Sequence, residues 1–152
     1  RNAEQWKEHW EEEKRILAEQ EKLRAEAKEK KKQKAIEEKR RKKVRAIKVR
    51  MALLEQFDEN TGYHKGLVKA VKSNLHDPDS FRHLETKYRF VKTAWMIDES
   101  VEVWMHYSGT NLFGGRLAEV AVGKYTSDGE PIEPWYNVKD LTAEEKLEIF
   151  GE

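Results

Sequence analysis

VRAIKVRMALLEQFDENTG, residues 44–62, is where this chain changes character. Residues 1–57 carry 19 Lys/Arg against 12 Asp/Glu, a net of +7. Residues 58–152 carry 11 against 17, a net of −6, so the near-neutral total hides a basic stretch joined to an acidic one. Inside the stretch Val44, Ile47, Met51 and Leu54 keep a 3-4-3 spacing, one apolar seam of a helix. Asp58-Glu59-Asn60-Thr61-Gly62 then supplies turn residues. The reading is a long helix that ends near residue 57 and a small α+β domain over residues 58–152.

Upstream, residues 3–57 hold no Gly and no Pro and are dominated by Ala, Glu, Lys, Arg, Gln and Leu. Summed over that length, propensity alone favours helix. Glu11 with Arg15, Glu26 with Lys30, Glu37 with Arg41 and Glu38 with Lys42 stand at i,i+4 with the acid first, the better order. Apolar residues thin out in the middle, where only Leu23 and Ile36 are large. A two-stranded coiled coil needs a sustained apolar seam, so the middle reads as a solvated spacer and the two ends as adhesive. Trp6 and Trp10 at one end, and Val44, Ile47, Met51 and Leu54 at the other, are candidate partner-binding residues. Residues 28–50 concentrate 13 Lys/Arg against 3 Glu. Lys31, Lys32, Lys34, Arg40, Arg41, Lys42 and Lys43 are the candidates for phosphate contact, the alternative to a spacer.

Downstream, Tyr63, Leu67, Val71 and Leu75 repeat at i+4 and predict a helix over 63–75, ended by Asp77-Pro78. Three strands follow. Residues 81–92 alternate with Leu84, Thr86, Tyr88 and Phe90 on one side. Residues 94–107 place Val101, Val103, Met105 and Tyr107 at period two. Residues 116–126 place Ala118, Val120 and Val122 on one face. Thr142-Ala143-Glu144-Glu145 signals a capping box and a last helix, docked by Leu147 and Phe150. The expected fold is one helix on a three-stranded antiparallel sheet, with a short C-terminal helix.

The chain has no Cys, which excludes disulfides and thiolate metal sites. No apolar run reaches the ~20 residues of a membrane-spanning helix. Any membrane contact would come through an anchor preceding Arg1. His64, His76, His83 and His106 lie in the second part without a metal-ligand spacing. His83 and Glu85, two apart on a strand, would share a face with His106 and form a cross-strand polar cluster. Asp77 and Asp79 flank a proline; Asp77 reads as helping to end the helix, and Asp79 or Ser80 as forming the turn after it. Asn111-Leu112-Phe113-Gly114-Gly115 leads into a strand and lacks the phosphate-loop spacing, so Phe113 is expected to plug the end of the core. Trp95, Trp104 and Trp135 exceed what a small sheet needs and are further candidates for partner binding. No cofactor, metal, small-molecule substrate or catalytic residue is expected.

Three pieces in order carry a resemblance. They are Asp77, Pro78, Ser80 and Phe81; His83, Glu85 and Thr86; and Asn111, Phe113, Gly114 and Gly115. Together, over roughly residues 55–130, they resemble a small helix-plus-three-strand domain of unassigned function. That domain occurs in bacterial and phage envelope-associated proteins, often behind a membrane anchor and a charged helical spacer. The resemblance implies the fold and an envelope or phage-particle setting, and no reaction. The expectation is a non-enzymatic structural or protein-interaction protein. It would bind a protein partner or itself through the helix, with nucleic-acid association through residues 28–50 as the alternative.

Overall fold

The computed structural model describes residues 2–138 and 142–151, apart from the side chains of Lys146 and Phe150. The expected docking of Phe150 falls outside that set. Helix α1 runs from Ala3–Glu55, α2 from Lys65–Asn74 and α3 from Ala143–Phe150. Strands β1 (Arg82–Val91), β2 (Ser100–Thr110), β3 (Arg116–Tyr125) and β4 (Tyr136–Val138) form one antiparallel sheet in the order β1-β2-β3-β4. The α+β class is as read. The sheet has a fourth strand because the chain returns after Pro131–Pro134 to pair Val138 with Val120 along an edge, where the prolines cost no ladder bond.

The chain divides into two compact units, Arg1–Val44 and Arg45–Glu152. The first is helix alone, and every residue described in it is exposed. The boundary falls before Arg45, not at residue 57, because the last turns of α1 belong to the second core. Leu53 has no exposed surface, and Val49 and Phe57 pack around it. The apolar seam read from the sequence is not the face that docks. Ile47, Met51 and Leu54 lie on the opposite side of the helix and stay 59%, 57% and 44% exposed.

In β2, Val101, Val103, Met105 and Tyr107 point into the main core with Leu67, Val68 and Val71 of α2. The other face of the sheet carries Trp104, Val120, Val122 and Val138, closed by Ile149 of α3. Ile149 does the docking expected of Leu147, which is 55% exposed. Thr142 and Glu145 form the capping box as read. Gly123 sits where Leu67 and the Tyr125 ring crowd the strand. A Cβ there would meet Tyr125 Cε2 at 2.8 Å and Leu67 Cδ1 at 3.2 Å, so the close approach requires glycine.

His64 is the joint between these elements. It is 1% exposed and stands as N-cap of α2, its Nδ1 accepting from Leu67 N–H at 3.1 Å. That role leaves the proton on Nε2, which donates to Gln56 Oε1 at 2.7 Å. Gln56 Nε2 in turn donates to the Thr126 carbonyl at 2.7 Å. The ring stacks on Tyr125 at 4.1 Å and meets Phe57 edge-on at 5.1 Å. Burial lowers its pKa from the usual 6.5 to about 4.

Two predictions follow from the core. Residues 45–152 alone should unfold in one cooperative transition, whereas residues 58–152, lacking Val49 and Leu53, should show no such transition by circular dichroism. In the full chain Leu53→Ala should cost about 2–5 kcal/mol. The second concerns pH. A base with a lowered folded-state pKa binds its proton more readily unfolded, so its stabilising effect is complete above pH 6.5 and fades as pH falls towards 4. The loss should approach about 3 kcal/mol at ~1.4 kcal/mol per pKa unit. Burial lowers the pKa of His83 as well, opposed by Glu85, so its contribution to stability has the same sign. Urea midpoints measured from pH 7 to pH 4 should flatten strongly in His64→Asn, which keeps a capping oxygen, and weakly in His83→Asn. An unchanged slope in His64→Asn would refute the assignment.

Candidate interaction surfaces

Residues 92–99 connect β1 and β2. The second strand expected over 94–107 begins only at Ser100, because Trp95-Met96-Ile97 is drawn out as a loop. Trp95 and Ile97 are 74% and 78% exposed. The loop is clamped to α1 by two bidentate pairs. Arg45 donates from Nε and Nη2 to Asp98 at 2.9 and 3.1 Å, and Arg50 donates to Glu99 at 2.7 and 3.0 Å. Hydrogen bonding to the guanidinium holds each carboxyl below its ordinary pKa. Arg50 also lies over the Phe90 ring at 5.1 Å. The pairing of these four charged residues is not legible in the sequence. The partners stand 53 and 49 positions apart, so no local spacing marks them.

At the other end of β2 the turn is built by Asn111. Its Oδ1 accepts from Phe113 N–H at 3.0 Å and Gly115 N–H at 2.8 Å, while Gly114 takes φ 78°. Phe113 therefore does not plug the core. It is 91% exposed, because the carboxamide and not apolar packing sets the turn. Leu112 beside it is 68% exposed.

The polar cluster expected from His83, Glu85 and His106 does not form as read. A bulge between His83 and Glu85 adds Leu84 to β1, so His83 pairs with Tyr107 on the core face while Glu85 pairs with His106 on the other. His83 Nε2 lies 2.6 Å from Thr86 Oγ1, and Leu84, expected on one side with Thr86, Tyr88 and Phe90, is 52% exposed. Asp77 makes the turn expected of Asp79 or Ser80, its Oδ1 accepting from Asp79 N–H at 3.1 Å. Ser80 Oγ ties that turn to β2 by accepting from Thr110 N–H at 2.9 Å. On the core face the Tyr107 hydroxyl sits 3.0 Å from Asn137 Oδ1 and 3.3 Å from Glu119 Oε2. Burial, then the Glu119 charge, raises its pKa to about 12. Among the described residues no group of three His, Asp or Glu is placed to hold a metal ion.

No family model, curated protein or solved structure matches the chain. The surfaces are therefore read from their own residues. Of the candidate tryptophans, Trp135 packs against the main core and Trp104 lies half-buried beneath the Arg89 guanidinium at 5.1 Å. Trp95 is the one displayed by the second unit. In the first unit Trp6 and Trp10 are 59% and 55% exposed, and Val44 is 45% exposed. Lys31, Lys32, Lys34, Arg40 and Lys43 point into solvent, as do Arg41 and Lys42, which lie 3.8 and 3.6 Å from Glu37 and Glu38.

Replacing both clamps, Arg45→Ala with Arg50→Ala, should accelerate amide hydrogen exchange across residues 92–99 while the melting temperature moves little, since exposed pairs contribute little to global stability. Exchange mass spectrometry checks this. Unaltered protection of the loop would show that the clamps do not hold it.

Proposed function

We propose that this chain is a non-enzymatic interaction protein whose second unit binds a protein partner through the Trp95–Ile97 loop. The observation that carries the reading is the combination of exposure and restraint. Large apolar side chains stand in water on a loop fixed by two charge-assisted pairs. Exposed apolar anchors on a fixed support lose little conformational entropy when covered, and tryptophan is enriched among residues that dominate binding energy. The outward stripe of Ile47, Met51 and Leu54 supports a second occupant, another copy of the chain, because its spacing matches a helix-pairing seam. The motif resemblance over residues 55–130 adds a bacterial envelope or phage-particle setting to the proposal.

The test is a photo-crosslinking residue placed at Trp95, with Lys69 on α2 as an exposed control, in cells that make the protein. Position 95 should give one discrete protein adduct that the control does not. An adduct of twice the chain's mass would identify a second copy as the occupant. Equal labelling at both positions, or none at 95, would refute the proposal. With the crosslinking residue kept at position 95, Ile97→Ser should weaken the adduct at least several-fold yet shift stability by no more than about 0.5 kcal/mol, as for other surface changes.

A further inference from the structure

The basic part of α1 has a face. At about 100° per residue, Lys28, Lys31, Lys32, Lys39, Lys42 and Lys43 fall within an arc of roughly 120°, with Ala35 at its centre. Glu29 and Glu37 lie off that arc. Glu38 lies at its border, where it meets Lys42 at 3.6 Å. The other five lysines form no ion pair among the described residues. Lys28, Lys31, Lys32 and Ala35, together with Ala25 and Glu29, line one shallow hollow of the helix surface. The six lysines are two copies of one triad, 28-31-32 and 39-42-43, repeated after 11 residues. Eleven residues make just over three turns, which returns the second triad to the same face about 16 Å further along.

We infer that this lysine stripe binds the phosphate backbone of double-stranded DNA. Inside the arc nothing is apolar beyond alanine and Ile36 stands alone at its border, so an acyl layer would gain little buried surface from it, whereas helices that lie on membranes need an apolar face. It carries no aromatic side chain on which unpaired bases could stack. What remains is cationic contact with a polyanion. The two triads are separated by more than the ~12 Å opening of the major groove, so they reach phosphates on its two banks. Such binding is independent of base sequence, because phosphate contacts position a protein without reading bases. It involves residues of the first unit only, so it stands or falls apart from the Trp95 loop.

The experiment is fluorescence anisotropy of the full chain with a labelled 24-base-pair duplex over a salt series. With four to six phosphate contacts the slope of log Kobs against log salt should be about −4 to −5. Two variants of equal charge change separate a site from bulk charge. Lys28→Gln, Lys32→Gln and Lys39→Gln together should weaken binding at least tenfold and lessen the slope by two to three. Lys22→Gln, Lys30→Gln and Lys48→Gln together, all exposed and off the arc, should change affinity less than threefold. Gln keeps a high helix propensity, and circular dichroism checks that both variants stay helical. Equal loss in the two variants would overturn the proposal. So would no binding to the duplex at 50 mM salt, or tighter binding to vesicles of phosphatidylserine and phosphatidylcholine than to the duplex.

Discussion

The second unit is organised around the burial of Leu53 and the hydrogen-bonded chain that runs beside it, from the Thr126 carbonyl through Gln56 and His64 to the Leu67 amide. The chain joins the end of α1, the start of α2 and the end of β3. Each link saturates a polar group that burial would otherwise leave unpaired, a loss of roughly 1–3 kcal/mol. His64 suits the position because a neutral imidazole accepts at one nitrogen and donates at the other. A serine or threonine cap could satisfy Leu67, but its short side chain would reach neither Gln56 nor the face of Tyr125.

The rotation of α1 follows from that joint. With Leu53 and Val49 turned inward, Arg45 and Arg50 flank the buried face and meet Asp98 and Glu99. The same rotation forces Ile47, Met51 and Leu54 outward. The exposed stripe and the clamped loop are thus two consequences of one docking. This coupling links sequence to function: the residues that hold the core also set which apolar groups meet water.

Periodic features of the fold were legible because they are local. Val101 to Tyr107 alternate, Leu67 and Val71 share a stripe, and Thr142 with Glu145 caps a helix. The misses occurred where two local patterns competed or where a partner lay far off in sequence. α1 carries two apolar stripes in its last turns, and the richer one, from Val44 to Leu54, loses. Burying it would turn Arg45 and Arg50 away from their carboxylates and put Leu53 in water. The alternation of Leu84, Thr86, Tyr88 and Phe90 is unbroken on paper, yet a bulge removes Leu84 from it. Strand β4 is too short, at three residues, to show a period. Asn111 and the two glycines mark a turn in the sequence, but only the bonds of Asn111 show that this turn needs no core plug from Phe113.

The first unit obeys a different balance. Residues 28–43 hold 10 Lys/Arg and 3 Glu, and they include three like-charge i,i+4 pairs, Lys28 with Lys32, Lys30 with Lys34 and Lys39 with Lys43. Each opposes the helix by about 0.2–0.5 kcal/mol, and no tertiary packing offsets them, since every residue there is exposed. A spacer chosen only for helicity would alternate acids and bases, as the pairs of Glu37 with Arg41 and Glu38 with Lys42 do. The excess of lysine on one arc instead leaves a repulsion that only an external anion relieves. Counter-charge along that arc would therefore strengthen the helix as it binds, so occupancy and helical order rise together. In the second unit order comes from burial, and its exposed groups can change without changing the fold. In the first, order and contact draw on the same charges, so any substitution that weakens the contact also relaxes the repulsion.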